Sequence, residues 1–314
     1  MLRKRDHGGN LDAAALRFGG TRDGWLDLST GINPIPYPLP AIPEDAWTAL
    51  PDERALSALV REARVLWSVP PEAGVMAVPG ASAAIAHIPL LAPPGRVSIP
   101  GPTYNEHAAS FAAANWDVIE TSEHIDASVH VNPNNPDGRL WRGSQIKGAL
   151  RVIDESFCDV SPQATLMDEA TTPGTLILKS FGKFWGLAGV RLGFVIGDIQ
   201  LLENLSTMLG PWAVTGPALH IGATALRDHT WAEETRARLI QDANRLDRLM
   251  IPQGAKAIGG TTLFRLYEVD NAVQWQERLA AHHIWSRVFP YNPNWLRLGL
   301  PDASGWARLE AALA

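Results

Sequence analysis

The chain has 314 residues, 46% of them hydrophobic and 19% charged, and a formal net charge of −6. That length accommodates one large or two ordinary domains with a sizeable core, and the acidic balance leaves no basic footprint for nucleic acid. There is no stretch of apolar residues long enough to suggest a membrane span. A single cysteine, Cys158, rules out an intrachain disulfide framework and a cysteine-built zinc site; it fits a reducing, cytoplasmic setting, and no metal is expected.

The N-terminal MLRKRDHGGN is basic but lacks an apolar run, so it is not expected to be a secretory signal. INPIPYPLPAIP, ending at Pro43, is too punctuated by proline for a helix interior. Pro51–Asp52 then opens a helical pattern, with Leu56, Leu59, Val60, Ala63 and Leu66 at helical spacing. From residue 74 short apolar runs read as buried strands: VMAV, RVSI, WDVI, SVHV, RVID, TLIL and RLGFVI. Helical patterns such as AAIAHIPLL and HAASFAAA separate several of them. This alternation predicts an α/β domain with a largely parallel sheet, whose ligands bind in loops at the carboxyl ends of the strands. After about Pro217 come Ala-, Arg- and Leu-rich helices to residue 250, strand-like TTLFRLYEV and NWLRLGL, and a terminal helix in SGWARLEAALA. They predict a second, smaller α+β domain, which the N-terminal stretch can join.

The chain has only five lysines, and two of them fall in LILKSFGKFWGLAGVRLGF. Leu176–Lys179 reads as a strand and Ser180–Lys183 as the loop at its carboxyl end. A deprotonated amine there can form a Schiff base with an aldehyde, although a surface lysine in a loop has the same spacing. Ser180 can donate to a phosphate oxygen and Arg191 can clamp one bidentately. An aldehyde and a phosphate together describe pyridoxal 5′-phosphate (PLP). Its ring nitrogen needs an acid, and Asp154 closes the strand-like RVID, a position that also suits a helix cap or turn. VPGASAAI supplies a small-residue turn into a helix, with Gly80, Ala81 and Ser82 available to a phosphate. NPNNPDG (132–138) forms a loop after SVHV. Tyr104 in GPTYNEH can stack on a flat ring or pack as a core aromatic.

SFGKFWGLAGVRLGF, DESF, NPNNPDG and GPTY, in this order and spacing, resemble the fold-type I PLP enzymes of the aspartate aminotransferase superfamily over nearly the whole chain. The resemblance implies a large domain over 30–215, with a mostly parallel seven-stranded sheet flanked by helices, and a smaller α+β domain from 1–29 and 216–314. It implies that Lys183 carries PLP, that Asp154 pairs with the pyridine nitrogen and that Asn135 bonds the ring O3′. It gives Tyr104 the stacking role, and Ser180, Arg191, Ala81 and Ser82 the phosphate. DHGGNLDAA, LDLSTGINPIPYP and GPWAVTGPA further resemble the threonine-phosphate decarboxylases of cobalamin biosynthesis, relatives of histidinol-phosphate aminotransferases. That resemblance implies L-threonine O-3-phosphate, an amino acid phosphate, as substrate. It places Arg297 on the substrate carboxylate, Arg287 on its phosphate, and His7 and Asn33 beside it, in a homodimer with its active site at the subunit interface.

Three positions depart from the superfamily pattern. Phe157 stands where a tyrosine reaches O3′, Gly182 where Ser or Thr precedes the lysine, and Leu50 where a tyrosine reaches the neighbouring subunit's cofactor. Two further readings stand beside the decarboxylase. One is an aminotransferase for an amino-phosphate such as histidinol phosphate. The other is a non-catalytic scaffold in cobalamin assembly.

Overall fold

The structure, a computed structural model, describes residues 7–121 and 124–314. Most of the basic N-terminal stretch read as no secretory signal therefore lies outside the described residues. The chain divides into two compact units, one of residues up to Ile35 with Thr235–Ala314, the other Pro36–Glu234.

In chain order the first helix, α1 (Leu11–Phe18), and a short strand, β1 (Leu26–Asp27), precede α2 (Asp45–Thr48) and α3 (Glu53–Leu66). There follow β2 (Gly74–Val78), α4 (Ala81–His87), β3 (Arg96–Ser98), α5 (Asn105–Ala113), β4 (Asp117–Ile119), β5 (Ala127–Val131), β6 (Leu150–Asp154), β7 (Thr175–Ser180) and β8 (Gly193–Gly197). The helices α6 (Ile199–Leu209), α7 (Gly216–Arg227) and α8 (His229–Met250) come next. The chain ends with β9 (Lys256–Gly260), β10 (Phe264–Glu268), α9 (Ala272–Ala280), β11 (Ile284–Trp285), β12 (Arg287–Phe289), β13 (Asn292–Gly299) and α10 (Gly305–Leu313).

The larger unit holds a seven-stranded sheet in the order β2-β8-β7-β6-β5-β3-β4, in which only β8 runs against its neighbours. Each of the seven apolar runs read from the sequence corresponds to one of these strands. The central strands β5 to β8 are buried on both faces, so they read as continuous apolar runs rather than alternating ones. The central strands β5, β6 and β7 are parallel and in register, which aligns their carboxyl ends: Val131 lies beside Asp154, and Asp154 beside Leu178. The main core packs Val97, Val129, Val152, Leu176, Leu178 and Val195 of the sheet against Ile85, Ile88 and Phe111 of the helical layer. Helix α3 begins at an Asp52 cap, whose side chain accepts from the Ala55 N–H at 2.7 Å. Its apolar stripe packs on α7.

The smaller unit contains the antiparallel sheet β12-β13-β10-β9 and the parallel pair β1-β11. Strands β1, β9, β11 and β12 were not legible in the sequence. They are short or glycine-rich, and pairing with neighbouring strands rather than local pattern makes them strands. The division between the units falls within α8, so α7 and the start of α8 belong to the larger unit.

One buried strand residue gives a direct test of packing. His130 on β5 is 4% exposed, with its ring edge-on to Trp141 at 4.5 Å. Burial, assisted by Arg139, pushes its pKa from 6.5 down to about 4. The unfolded chain takes up this proton first, so the loss of stability begins near pH 6.5 and is complete below about 4. At about 1.4 kcal/mol per unit it amounts to roughly 3 kcal/mol. Denaturant midpoints of the wild type and His130→Leu should therefore draw closer, or cross, as pH falls from 7 to 4. A constant difference between them would contradict the assignment.

Candidate active site

A cavity with an empty volume of about 640 Å³, measured to its open mouth, lies at the carboxyl ends of β5, β6 and β7. It is lined by Ala81, Ser82, Tyr104, Asn135, Asp154, Ser180, Lys183 and Arg191, together with Ser156, Phe157 and Gly182. Residues separated by more than a hundred positions thus meet in one pocket of the larger unit. The parallel sheet explains this, since loops after adjacent parallel strands emerge at the same edge.

Asp154 ends β6 and is 2% exposed. Burial alone would push its carboxyl up. The hydrogen bond and charge of His107 and the bonds from Ser156 outweigh burial, and the pKa is lowered. His107 Nε2 lies 2.8 Å from Asp154 Oδ2, and the Ser156 N–H donates to Oδ1 at 2.9 Å. A buried carboxylate is thereby kept ionised beside the cavity. His107 was not picked out in the sequence. Its signal was its place in GPTYNEH, three residues after Tyr104, so that one turn of α5 brings both onto one face. The two rings meet edge-on at 6.0 Å.

The structure distinguishes the two lysines of LILKSFGK. Lys179 is 2% exposed and bonds Glu155 Oε2 at 2.7 Å. Burial favours its neutral form, but Glu155 and nearby Cys158 and Asp159 prevail and raise its pKa, which locks it as an ammonium. Lys183 instead lines the cavity, its Nζ 5.4 Å from the centre of the Phe157 ring. Of the two, only Lys183 is placed to act as an amine nucleophile.

The anion-binding end is built around a tight turn. Gly80 has φ 82°, a left-handed conformation, and a Cβ there would collide with the guanidinium of Arg191. Arg191 itself takes φ 55° and donates from Nη1 to the Ala188 carbonyl at 2.9 Å. A strained non-glycine residue with its guanidinium held against a glycine turn is a costly arrangement of the kind found at binding sites. Ser180 accepts from the Gly182 N–H at 3.3 Å. At Gly182 an added Cβ would come within 3.3 Å of Ala188 Cα, so the loop is packed for glycine there. Phe157 is buried under Lys183, and Leu50 is 66% exposed.

The four residues read as substrate contacts all lie in the smaller unit. Arg287 and Arg297 are direct cross-strand partners on β12 and β13. Arg297 is buried and donates from Nη2 to the Ser29 carbonyl at 2.7 Å. Burial and the charge of Arg287 bring its pKa down to about 10. Like charges directly opposite on a sheet destabilise it, and an anion between them would relieve that cost. Asn33 is buried, and its Oδ1 accepts from Arg238 at 2.6 Å and the Ile35 N–H at 3.1 Å. His7 is exposed.

Comparison with known proteins gives the family. The description "Aminotransferase class I and II" matches residues 53–309, and the chain belongs to this PLP-dependent family. It is 43% identical to a threonine-phosphate decarboxylase of Sinorhizobium sp, covering 98% of this chain and 97% of that one. Identity is 39%, with the same coverage, to a threonine-phosphate decarboxylase of Pseudomonas aeruginosa. Among solved structures, a histidinol-phosphate aminotransferase of Sinorhizobium meliloti in complex with pyridoxal 5′-phosphate matches with a TM-score of 0.80. That match covers 97% of this chain and 93% of that one at 14% identity, a likeness of fold.

Proposed function

We propose that this chain is a PLP-dependent carboxy-lyase of the threonine-phosphate decarboxylase type. It would convert L-threonine O-3-phosphate to CO₂ and (R)-1-amino-2-propanol O-2-phosphate in cobalamin biosynthesis. The observation that carries this reading is full-length similarity, at 43% and 39% identity, to two proteins of that name. The cavity agrees with it, because its polar groups suit the cofactor: an amine, an ionised carboxylate, an amide, four hydroxyls and a guanidinium.

In this reading Lys183 would hold the cofactor, with Asp154 serving its ring nitrogen and Asn135 its O3′. Tyr104 would stack on the ring, and Ser82, Ser180, Arg191 and the turn at Ala81 would hold the phosphate. Bound there, PLP supplies an electron sink for the pair left when a bond at Cα breaks. Asp154, kept ionised by His107 and Ser156, favours the protonated ring nitrogen on which that sink depends. Arg297 and Arg287 are two guanidinium clamps for a substrate with two anionic groups, a carboxylate and a phosphate. With Asn33 and His7 they orient the substrate so that its carboxylate, rather than its Cα hydrogen, is the group lost. Lys183 Nζ, as an ammonium, would then supply the proton that takes the place of the carboxylate at Cα.

The buried Arg297 makes the prediction specific. Truncating one member of a buried charged pair costs about 2–5 kcal/mol, so Arg297→Gln should raise KM for threonine phosphate by roughly 30-fold or more. The half-exposed Arg287 should show a smaller effect on substitution. Equal KM values for wild type and Arg297→Gln would remove it from the substrate site.

A homodimer and a cytoplasmic location complete the proposal. Exposed Trp212 and Leu50 each line one of two grooves of the larger unit that share Pro51, Asp52 and Leu219, an apolar surface suited to a second copy. Among the described residues no helix is long and apolar enough to cross a membrane. Product analysis tests the reaction. Purified protein with PLP and threonine phosphate should release CO₂ and the amine phosphate. Glutamate formed only from histidinol phosphate with 2-oxoglutarate would instead make the chain an aminotransferase.

A further inference from the structure

Behind the cavity, on the opposite face of the sheet, lies a buried polar network in which none of the site roles above has a part. Lys179 Nζ bonds Glu155 Oε2 at 2.7 Å and lies 3.7 Å from Asp159 Oδ1. Glu155 also accepts from the Thr165 hydroxyl and the Leu166 N–H, each at 2.6 Å, and from Asn132 Nδ2 at 3.4 Å. Asp159 accepts from two indoles, Trp67 Nε1 at 2.9 Å and Trp185 Nε1 at 3.1 Å.

The network grips residues adjacent to those of the cavity. Neighbouring side chains on a strand point to opposite faces. Asp154 faces the cavity while Glu155 points into the network, and Ser180 faces the cavity while Lys179 points into the network. Lys183 lies between two held points, Lys179 four residues before it and Trp185 two residues after it. Trp185 is fully buried, stacked on Phe181 at 5.2 Å and on Trp231 at 5.3 Å. Its backbone carbonyl accepts from the Tyr37 N–H at 2.9 Å.

Buried ion networks are poor devices for stability, because apolar residues of the same volume often do as well or better. Their strength is directional: each hydrogen bond fixes one geometry, and together these tie the loops after β6 and β7 to each other. We infer that Lys179, Glu155, Asp159 and Trp185 form a positioning clamp, which sets Asp154 and Lys183 in register across the two strand ends from behind. This deepens the reading of the cavity as a PLP site and rests on it. These four are positioning residues, since they act through Asp154 and Lys183.

The test uses Trp185→Phe, which keeps the stacked ring and deletes the bond to Asp159. Its control is Trp116→Phe. Trp116 is likewise buried, in the main core, and its indole donates to the Pro89 carbonyl at 2.9 Å, so the control deletes a similar bond elsewhere. Lys179→Met serves as a harsher variant if it folds. Three quantities are read on each holoenzyme: thermal midpoint, the split between kcat and KM, and the pH midpoint of the visible absorption of bound PLP. Both Trp variants should lose similar thermal stability. Trp185→Phe alone should lower kcat, by about 10-fold or more if the reacting groups shift by a fraction of an ångström. It alone should also move the absorption midpoint, while KM stays within about twofold. If Trp185→Phe matches Trp116→Phe in kcat and absorption midpoint, the clamp is merely structural and the inference fails. If the wild type itself binds no PLP, the reading of the cavity fails first, and the clamp falls with it.

Discussion

Lys183→Ala should abolish both the visible absorption of the bound cofactor and turnover of threonine phosphate. The expected loss is at least ~10³-fold, because in the proposed reading one amine would serve both as covalent anchor and as proton carrier at Cα, and general acid–base catalysis alone is worth about 10²–10⁴. The fold should survive, since Lys183 lines a cavity and makes no part of the main core. Lys179 cannot substitute for it. That ammonium is held by Glu155 on the other face of the strand. Absorption spectra with a CO₂-release assay on the purified variant check both losses. A variant that lost the chromophore yet supported cobalamin synthesis fully would favour the scaffold reading.

The second large effect is expected at Asp154. Asp154→Asn keeps the shape and an acceptor for the Ser156 N–H but removes the buried charge. Loss of a preorganised electrostatic group at a reacting centre typically costs about 3–4 kcal/mol of barrier, so kcat should fall by on the order of 10²–10³. The pH dependence follows from the lowered pKa of this carboxyl. Its stabilising contribution is present above the carboxylate value of the unfolded chain and is lost as pH falls through the lower folded value. Asp154 therefore remains ionised throughout the working range and should not produce the acid limb of the rate profile near neutrality. His107→Phe removes the hydrogen bond that offsets burial, so its acid limb should move to higher pH. A profile for His107→Phe that overlays the wild type would show that the histidine does not tune the carboxylate.

Much of the larger unit was legible because its signals are local. Strands in the interior of a sheet with helices packed on it are largely apolar, so VMAV through RLGFVI mark themselves. Their polar groups sit at or just after the strand ends, so Asp154, Ser180 and Lys183 could be placed at one edge from the sequence alone. The proline-rich segment before Pro43 likewise excluded helix, and none forms there. The smaller unit was less legible. Its strands β1, β11 and β12 have two or three residues each, too few to show a period.

The sequence by itself determined the fold class, the strand run of the large sheet and the set of residues able to hold a phosphorylated aldehyde. Local pattern is enough for the first two, while the full residue set needed the resemblance to a known family as well. The tertiary structure supplied the physical reason that Lys183 and not Lys179 lines the cavity, which lies in what packs on each side of β7. It brought His107 against Asp154 across 47 positions of chain, and it set Arg287 opposite Arg297 through strand register. It also joined Lys179, Glu155, Asp159 and two tryptophans behind the site. Such contacts arise from register and burial between distant segments, and no local spacing encodes them.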